Sequence, residues 1–484
     1  MFFFLGCLSF IGVLAYLFHV NKALSRTPEE VQKAAGAHWT ASELKSTYER
    51  LRTDPFQYKE KLPPKLDRRY IVTGGAGFVG GYIVLQLLEC GTPAESIRIV
   101  DIRAPDRADM LNGPAAKVAF VKTDISSKAS VDAAFALPWP SQVAHLPLTV
   151  FHTAAVILAS ERSKYQYGFP EAVNVTGTKN ILAAAQTHGA SIFSSTSSGS
   201  IPIRPVQPFL APWSLVPRHF WQVLDTSDFS HPLRSTDEFF GNYPRSKALA
   251  ERLVCAEDRK GFRTGSIRPA HGVYGNPTDN TVGDPLNKPV FPTWVFHIVQ
   301  SFVHGANVAV AHLQREAVLA LPRDEDAARY SGRPFVVTDP NRPVAYDDLY
   351  TAIKTLSIHP FQTVRVPPVV ILLISHVMEI YADLPFRFPF LKPFLPKVEG
   401  DLNHLRPSIF SIITHLIAND EDARKDVSEG GLGYTGLLTT LEGVVLEILE
   451  WNQEHEGEKE RKTYTTSIAL AGKIESMVSA GLPS

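Results

Sequence analysis

Tyr243 and Lys247 are the two residues whose types and spacing could do acid–base chemistry. They lie four apart in the run NYPRSKALAERLVCA, so on a helix both side chains share one face. Pro244 fits only if this is the first turn, where its missing N–H costs nothing. A phenol with a reference pKa of about 10 is a poor base at neutral pH, and a nearby ammonium favours the phenolate. Because an isolated Tyr-x-x-x-Lys is common on solvated helix faces, its meaning depends on the elements around it.

A glycine-rich turn between a short apolar run and an apolar helix is the strongest local signal. The segment Tyr70–Gly80 reads YIVTGGAGFVG and satisfies both G-x-G-x-x-G, from Gly75, and G-x-x-G-x-x-G, from Gly74. Glycines permit a tight turn, a close approach to a pyrophosphate and helix–strand packing, and the helix N-terminus offers free N–H groups to phosphates. The predicted contacts with a dinucleotide come from Gly74, Gly75, Gly77, Phe78, Val79 and Gly80.

Asp101 ends the next predicted strand, SIRIVDI, at about the twenty-residue distance from the glycine turn that dinucleotide sites show. A carboxylate there accepts hydrogen bonds from both ribose hydroxyls and repels a 2′-phosphate, which favours NAD over NADP. Arg103 weakens this preference, because a nearby cation tolerates the 2′-phosphate of NADP. The other interpretation of Asp101 is an ordinary turn residue. Asp124, after the strand VAFVKT, either reads the adenine edge or caps a helix, and the sequence does not separate the two.

Consecutive hydroxyl residues, Ser194–Ser198, end the predicted strand SIFSSTSS, which lies between the glycine turn and Tyr243. One of these hydroxyls would hydrogen-bond the substrate oxygen and hold it against the tyrosine. A serine-rich turn is the alternative interpretation for any single one of them. The sequence therefore predicts a hydroxyl partner for Tyr243 without fixing which residue it is.

The composition excludes several classes of protein. With 44% hydrophobic and 20% charged residues, the chain is not disordered. A net charge of −1 provides no global field for nucleic acid, so no nucleic-acid partner is predicted. Cys7, Cys90 and Cys255 have neither paired nor metal-like spacing. This excludes a disulfide scaffold and a cysteine-based zinc site, and it suits a reducing compartment. No metal site is predicted.

Short apolar runs alternate with amphipathic stretches from Tyr70 to about residue 190, which predicts an α/β fold with a parallel, doubly wound sheet. An apolar run at residues 369–396 is interrupted by proline and charge, and is predicted to be core rather than a second membrane span. The predicted organisation is an NAD-binding Rossmann-type domain at 67–268 with a Pro/aromatic-rich insert at about 200–240, a smaller substrate-binding cap at 269–452 with some returning Rossmann elements, and a polar tail at 453–484.

Residues 1–20 contain no Asp, Glu, Lys or Arg, and about twenty apolar residues are what a helix needs to cross a bilayer. No cation precedes the run, as a signal peptide would require, whereas Lys22 and Arg26 follow it. By the positive-inside rule these cations keep the rest of the chain cytoplasmic. The prediction is a single transmembrane anchor at 1–20 and a juxtamembrane linker at 21–66. A cleaved signal peptide and a buried helix are the alternatives.

Taken together, these motifs resemble the extended short-chain dehydrogenase/reductase superfamily. Within it, the chain is most similar to the 3β-hydroxysteroid dehydrogenase/isomerase family, including its sterol-4α-carboxylate 3-dehydrogenases (decarboxylating). The resemblance covers about Arg69 to Asn452. It rests on TGGAGFVG, VDIR, FHTAA, NVTGTKNIL, FSSTSS, YPRSKALAE, SIRPAHGVYG, ANVAVAHL and GLGYTGLLTTLEGVVLEILEW.

The resemblance implies roles for individual residues. Tyr243 would be the base, and Lys247 would lower its pKa and bind the nicotinamide ribose. Thr196 would be the catalytic hydroxyl, with Ser195 and Ser197 as register alternatives. Further positions implied by the family pattern are Ala154 and Ala155 along the dinucleotide, Asn174 on the following helix and Pro269 at the nicotinamide end.

The implied activity is NAD-dependent oxidation of a secondary, 3β-type alcohol on a sterol or sterol-like terpenoid, with decarboxylation where a β-keto acid results. The implied location is the endoplasmic reticulum membrane with lipid around the N-terminal helix, and the resemblance is compatible with a homodimer. Another extended family member, a ketone reductase or sugar-nucleotide epimerase, would share every motif, whereas a non-catalytic dinucleotide sensor commonly lacks Tyr-x-x-x-Lys. The insert at 200–240 would be a substrate lid, a membrane-contacting loop or a loop packed on its own surface.

Overall fold

The computed structural model describes residues 2–322, 329–396, 398, 400–458, 460–462, 464–466, 469 and 471–472. Helices form where apolar residues recur at helical spacing, and strands form along short β-branched runs. The helices are α1 (Phe2–Leu24), α2 (Glu29–Ala34), α3 (Ala41–Thr53), α4 (Phe78–Glu89), α5 (Lys128–Ala136), α6 (Gly168–Pro170), α7 (Gly177–Thr187), α8 (Asn242–Ala256), α9 (Gly283–Leu286), α10 (Gly305–Ala320), α11 (Tyr346–Leu356), α12 (Pro368–Arg387), α13 (Ile409–Ile412), α14 (Glu421–Arg424) and α15 (Thr440–Glu454).

The strands are short, and several of them are buried along their whole length. They are β1 (Arg69–Thr73), β2 (Ile97–Asp101), β3 (Ala119–Lys122), β4 (Leu148–His152), β5 (Ala190–Thr196), β6 (Trp221–Leu224), β7 (Arg263–Pro269), β8 (Val273–Tyr274), β9 (Val290–Thr293), β10 (Val299–Gln300), β11 (Val303–His304), β12 (Pro334–Val337), β13 (Val344–Ala345), β14 (Gln362–Arg365) and β15 (His415–Ala418).

Within the described residues, seven strands form the main sheet in the order β12-β7-β5-β4-β1-β2-β3, parallel at each pairing. Alternating side chains of β1 face opposite layers. Ile71 packs in the cluster that includes α5 and α7, whereas Tyr70 and Val72 pack with α4 and α10. The predicted doubly wound α/β fold is confirmed. Since the strand order reverses between β1 and β4, a crevice for a ligand opens there.

The insert predicted at about 200–240 contributes a strand to a second sheet. Among the described residues this sheet has the order β13-β10-β15-β6, and β6 pairs in parallel with β15, Trp221 opposite His415. Val206, Leu210 and Phe220 of the insert are buried in a cluster with the end of α1. The insert is therefore fixed to the cap at both ends of its strand rather than packed only on its own surface.

The segment predicted to be a linker, residues 21–66, folds against the cap. Thr40 caps α3 by accepting a hydrogen bond from the Glu43 N–H. Leu44 and Leu51 of α3 are buried in the cluster formed by α11 and α15. This differs from the predicted linker because the apolar residues of α3 fall on one helical face, and the cap offers a matching apolar surface.

Two described helical stretches are long and apolar enough to cross a membrane by length and composition, Cys7–Ala34, which overlaps α1, and Pro368–Arg387, which is α12. The apolar side chains of α1 are exposed at Phe4, at Leu5, from Leu8 to Leu14 and at Phe18, half-buried at Tyr16 and Leu17, and buried at Val20, Ala23 and Leu24. The apolar run at residues 369–396 is predicted to be core interrupted by proline and charge. The structure forms an unbroken helix of 20 residues there, α12, because Pro385 falls in its last turn. Most of α12 lies at the surface rather than in the core.

We expect Leu44→Ala to lower the free energy of unfolding by about 2–5 kcal/mol, the usual cost of emptying a buried leucine site. The matched control is Lys45→Ala, which changes the neighbouring exposed residue and should change stability by less than about 0.5 kcal/mol. Urea denaturation followed by tryptophan fluorescence measures both. Equal midpoints for the two variants would show that α3 is not part of the folded core.

Candidate active site

The glycine turn lies in the crevice where the strand order reverses, between β1 and α4. Gly74 has a φ of 71°, and a Cβ there would lie 2.6 Å from the backbone nitrogen of Ala154. Gly77 is the N-cap residue of α4, and a Cβ on Gly80 would collide with the Gly74 carbonyl. The turn therefore leaves room for a phosphate beside the free N–H groups of the helix N-terminus, which fits a dinucleotide.

Asp101 lies at the end of β2 with its carboxylate against the glycine turn. Its Oδ2 accepts a hydrogen bond from the Ala76 N–H at 3.1 Å, and its Oδ1 accepts one from the Arg103 N–H at 3.3 Å. Burial raises the pKa of Asp101, and these hydrogen bonds oppose that shift. The guanidinium of Arg103 pairs with Asp106 at 2.7 Å. The Asp101 carboxylate therefore lies where a ribose would bind, and the Arg103 guanidinium is already paired with Asp106.

Asp124 begins a turn rather than a helix. Its Oδ1 accepts hydrogen bonds from the Ser126 N–H at 2.9 Å and the Ser126 hydroxyl at 2.7 Å. The N-cap residue of α5 is Ser127, whose side chain accepts from the Ser130 N–H. The structure thus does not contain the helix cap proposed as the alternative for Asp124. It leaves this carboxylate half-buried at the carboxyl end of β3.

Asn174 joins the loop after β4 to the helix that carries the tyrosine. It lies in a π-helical segment, Glu171–Thr176, between α6 and α7. Its side-chain Oδ1 accepts a hydrogen bond from the Val156 N–H at 2.9 Å. Its Nδ2 donates to the Val156 carbonyl at 3.0 Å and to the Ser246 hydroxyl at 2.9 Å. The loop held in this way includes Ala154 and Ala155, two of the predicted dinucleotide contacts.

Phe78, Val79 and Pro269 occupy the borders of the crevice. Phe78 and Val79 form the first turn of α4, and the Phe78 carbonyl accepts a hydrogen bond from Arg107 Nη1 at 3.0 Å. Pro269 ends β7, and its carbonyl accepts from the Gly199 N–H at 2.8 Å. That hydrogen bond joins the end of β7 to the segment that follows the hydroxyl strand.

Tyr243 and Lys247 lie in the first two turns of α8, as the position of Pro244 predicts. Lys247 donates from Nζ to the Thr196 carbonyl at 2.8 Å. Burial raises the pKa of Tyr243 to about 12, opposed by a hydrogen bond with Ser198, and lowers the pKa of Lys247 to about 8. Burial is the larger cause of the Tyr243 pKa shift, and Lys247 is not among the groups that lower this pKa in the protein alone. At neutral pH the site holds a neutral phenol beside an ammonium.

The hydroxyls of the predicted strand point alternately to its two sides, as β geometry requires. Ser194 and Thr196 both hydrogen-bond His312 of α10, each at 2.8 Å, to Nδ1 and Nε2 respectively. Ser195 pairs with Ser266 at 2.7 Å on the other side. Thr196 lies at the end of β5, and its hydroxyl is therefore engaged by a histidine whose pKa burial lowers to about 3.

Ser198 opposes the rise of the Tyr243 pKa that burial causes. It lies two residues beyond the end of β5, and its hydroxyl pairs with the Ser200 hydroxyl at 2.7 Å. The family resemblance implied Thr196 as the catalytic hydroxyl, and in the structure that hydroxyl hydrogen-bonds His312 of α10. The assignment of the catalytic hydroxyl therefore stays a prediction.

A buried ionic network fixes α8 behind the tyrosine, and no pattern in the sequence indicates it. Glu251, one turn after Lys247, accepts a hydrogen bond from the Ser197 hydroxyl at 2.5 Å. Arg268 of β7 donates to both oxygens of Glu251, at 2.8 and 2.6 Å, and to both oxygens of Asp228, at 2.5 and 3.0 Å. Asp228 belongs to the insert. The end of β5, β7, α8 and the insert therefore meet at the guanidinium of Arg268 and its two carboxylate partners.

A cavity of about 400 Å³ lies on the cap side of α8. Its lining residues are Leu158, Glu161, Tyr165, Gln166, Gly168, Phe169, Phe386, Asn403, His404, Arg406 and Gly472. The Glu161 carbonyl accepts a hydrogen bond from the Asn242 N–H at 2.7 Å, so this loop contacts the residue before Tyr243. Its wall combines the aromatic rings of Tyr165, Phe169 and Phe386 with polar side chains, among them the buried Glu161–Arg406 pair, 3.6 Å apart.

The site combines a dinucleotide cradle with Tyr243 and Lys247 on one helix, next to a cavity of mixed polarity. Among the residues that the structure describes, no group of three or more His, Cys, Asp and Glu side chains is arranged to hold a metal ion. Proton transfer by Tyr243 beside a bound dinucleotide is the chemistry that this arrangement permits.

Comparison with known families agrees with this geometry. Residues 71–208 match the model of the 3-beta hydroxysteroid dehydrogenase/isomerase family, and residues 141–300 match an NAD-binding model described as male sterility protein. The Thermotoga maritima UDP-glucose 4-epimerase structure, solved with UDP-glucose, superposes with a TM-score of 0.51 over 80% of this chain and 100% of that chain, at 18% identity. At that identity the structural likeness supports the fold alone.

Two curated relatives are similar to this chain in amino-acid sequence. The 3β-hydroxysteroid dehydrogenase/Δ5→4-isomerase of Mycobacterium tuberculosis is 32% identical over 267 residues, covering 51% of this chain and 60% of that protein. The 3β-hydroxysteroid-dehydrogenase/decarboxylase isoform 2 of Arabidopsis thaliana is 24% identical over 393 residues, covering 78% of this chain and 61% of that protein. The chain thus spans less than two thirds of the length of either relative.

Proposed function

We propose that the chain belongs to the 3β-hydroxysteroid dehydrogenase/isomerase family of the extended short-chain dehydrogenases and that it is an NAD-dependent dehydrogenase. Its substrate is a secondary, 3β-type alcohol of a sterol or sterol-like terpenoid. The single observation that carries the proposal is the placement of Tyr243 and Lys247 in the first two turns of α8, with Lys247 Nζ donating to the Thr196 carbonyl at 2.8 Å. The 3β-hydroxysteroid dehydrogenases among the relatives favour a sterol over the sugar nucleotide of an epimerase.

Tyr243 acts as the proton acceptor in this proposal. Ser198 orients the alcohol by a hydrogen bond to its oxygen, and the hydroxyl proton moves to Oη of Tyr243. Since burial keeps the phenol neutral in the protein alone, deprotonation requires positive charge in the crevice. The Lys247 ammonium, held on the Thr196 carbonyl, supplies part of it. Oxidation therefore becomes faster as pH rises towards about 8, the pKa of Lys247, above which the lysine loses the charge that favours the phenolate.

NAD is the proposed cofactor, and the crevice fits it. Gly74, Gly77 and the first turn of α4 would hold the pyrophosphate, and Asp101 would accept hydrogen bonds from the adenosine ribose. When bound, the nicotinamide supplies the acceptor for the hydride of the alcohol carbon. Lys247 would contact the nicotinamide ribose, and Pro269 would border the nicotinamide.

Decarboxylation follows from the same step when the substrate carries a carboxylate one carbon from the new ketone. The product is then a β-keto acid, which loses CO₂ through its enol without a further protein catalyst. The name of the Arabidopsis relative includes such a decarboxylase activity. No additional acid–base pair is assigned for an isomerisation.

We infer that α1 anchors the protein in the endoplasmic reticulum membrane with the catalytic domain in the cytoplasm. Its side chains from Phe4 to Phe18 are largely exposed and apolar, which is costly in water and favourable in lipid. Lys22 and Arg26 follow the apolar stretch, and cations on that side favour a cytoplasmic location. An apolar substrate would itself reside in this membrane.

The decisive experiment incubates the purified full-length protein and NAD⁺ with a panel of 3β-hydroxysterols, 4α-carboxylated and not, and terpenoid alcohols, following NADH absorbance. We expect turnover, and we expect Tyr243→Phe and Ser198→Ala each to reduce kcat by roughly 10²-fold or more, since both act on the transferred proton. Ser195→Ala is the matched control and should keep most of the activity. A Tyr243→Phe enzyme with more than about a tenth of wild-type kcat would remove the tyrosine from this role.

The second prediction concerns the cofactor. The wild-type protein should use NAD in preference to NADP, and Asp101→Ser should erode that preference by removing both the ribose contact and the repulsion of the phosphate. The ratio of kcat/KM for the two cofactors measures it. Asp132→Ser on α5, which removes a carboxylate paired with Lys128 instead, is the control and should leave the ratio unchanged. Equal use of both cofactors by the wild type would contradict the assignment.

The third prediction concerns the anchor. Full-length protein in intact microsomes should resist extraction by high salt and alkaline carbonate, because insertion into hydrocarbon is not screened by salt. Protease added outside the vesicles should digest the catalytic domain, and detergent should not be needed. Release by carbonate would contradict the anchor, whereas protection from protease would contradict its orientation.

A further inference from the structure

Charges of alternating sign run from the insert to the helix that carries Tyr243. Asp228 of the insert, whose side chain is 24% exposed, accepts hydrogen bonds from the buried guanidinium of Arg268 at 2.5 and 3.0 Å. The same guanidinium donates to both carboxylate oxygens of Glu251, at 2.8 and 2.6 Å. Lys247 lies one turn before Glu251 on α8. We call Asp228, Arg268, Glu251 and Lys247 the charge row.

The two inner members of the charge row are held by consecutive residues at the end of β5. Lys247 donates from Nζ to the Thr196 carbonyl at 2.8 Å, and the Ser197 hydroxyl donates to Glu251 Oε2 at 2.5 Å. Lys247 and Glu251 also line the same small cavity, of about 10 Å³. Because both side chains are buried, solvent ions screen the attraction between their charges only weakly.

Glu251 is the negative group that favours the charged form of Lys247. Burial lowers the pKa of Lys247 to about 8, and the Glu251 carboxylate opposes that shift. His152 of β4 lines the same cavity and is neutral, since burial lowers its pKa to about 3. Tyr243, on the same helix face, is neutral below its pKa of about 12. The cavity-lining residues of α7 and β5 carry hydroxyls: Thr178, Ser195, Thr196 and Ser197.

Glu251 interacts with three other ionisable groups. Arg268 of β7 pairs with it directly, whereas Arg315 of α10 and Cys255 of α8 interact with it through their charges at longer range. Burial raises the pKa of Cys255 to about 12, so its thiol is neutral. The direct partner that offsets the charge of Glu251 is therefore Arg268.

Asp228 determines how much positive charge surrounds Glu251. With its carboxylate present, the charge row contains two negative and two positive groups. With a neutral residue at position 228, the remaining three groups carry a net positive charge, which disfavours the ammonium of Lys247. The protonation of Lys247 thus depends on a residue of the insert that acts through Arg268 and Glu251.

The turn that carries Asp228 is fixed on α8 independently of its carboxylate. Arg252 of α8 donates from Nη2 to the backbone carbonyls of Asp228 and His231, at 3.0 and 2.6 Å. Its guanidinium lies over the ring of Phe229, 4.5 Å from the centroid. A substitution that removes only the charge of Asp228 therefore leaves these contacts of the turn in place.

We propose that Asp228 and Glu251 are positioning residues for Lys247, and that the insert acts through the charge row to keep this lysine in its ammonium form on the Thr196 carbonyl. A neutral lysine has no charge with which to favour the phenolate of Tyr243. The effect of the insert on turnover rests on the proposed function, whereas its effect on the protonation of Lys247 does not.

The test measures the protonation of Lys247 directly. Full-length protein in detergent, isotopically labelled at the lysine Cε, is titrated between about pH 6 and pH 10, which spans the ordinary lysine range and the region below it. The chemical shift of Cε reports deprotonation, and the Lys247 signal is assigned by its loss in Lys247→Arg. The variants are Asp228→Asn and Glu251→Gln. Asp237→Asn is the matched control, because it makes the same charge change at an exposed position of the insert.

We expect the titration midpoint of Lys247 to fall by about one pH unit in Glu251→Gln, since losing an opposite charge at close range has this effect. Asp228→Asn should lower the midpoint by a smaller amount, at low and high salt alike, and Asp237→Asn should leave it unchanged. An unchanged midpoint in Glu251→Gln would overturn the proposal. Equal midpoints for Asp228→Asn and Asp237→Asn would overturn the role of the insert, and these two variants decide the proposal if Glu251→Gln does not fold.

A kinetic measurement separates this inference from the proposed function. The fall of kcat/KM at high pH should begin at a lower pH in Asp228→Asn than in the wild type, whereas a purely structural defect would lower the rate equally at every pH. If the wild-type protein oxidises no alcohol of the panel, the proposed function fails while the titration of Lys247 still decides the charge row. A shifted titration with an unchanged pH profile of turnover would overturn the link between the insert and the reaction.

Discussion

The pairing of one buried carboxylate determines where the reactive groups lie. Glu251 is enclosed by the sheet and α8, and a charge in that position is tolerated only with full hydrogen bonding. The Ser197 hydroxyl and the guanidinium of Arg268 provide it, and Arg268 in turn binds Asp228 of the insert. Removing one partner of such a buried pair typically costs about 3–5 kcal/mol. The helix that carries Tyr243 is therefore held against the hydroxyl strand by an interaction that is expensive to break.

Burial also governs the chemistry of the site. Desolvation opposes the charged form of both reactive groups, raising the pKa of Tyr243 and lowering that of Lys247. The protein alone thus keeps its base protonated. In the proposed mechanism the tyrosine becomes a base only when positive charge is present in the crevice, which couples proton transfer to the binding of an oxidised dinucleotide. The Ser198 hydrogen bond already favours the phenolate in part.

The insert and the helices outside the main sheet connect the site to the surface of the cap. Asp228 reaches the ionic network under α8, β6 completes the second sheet, and Phe209 lies against α12. One segment of the chain therefore contacts both the helix that carries Tyr243 and α12. The contacts of α12 with Arg162 and Phe209 leave an apolar stripe of this helix on the outside.

Local patterns in the sequence were sufficient for the doubly wound sheet, the glycine turn and the placement of Pro244 in a first helical turn. These features depend on hydrophobic periodicity and on backbone conformations that few residues adopt, and both are properties of short segments. The Asp101 carboxylate at the end of β2 was also found in this way, because its spacing from the turn is set by one strand–helix–strand unit.

Only the tertiary structure decided what the Thr196 hydroxyl contacts, that α3 is core rather than linker, and which side of α12 faces outward. Each depends on partners distant in the chain. His312 hydrogen-bonds Thr196 across 116 residues, and Arg162 hydrogen-bonds Glu379 across 217 residues. A periodic pattern reports that a helix has two unlike faces, but the direction of each face is determined by what packs against it, and that information is absent from any local window of sequence.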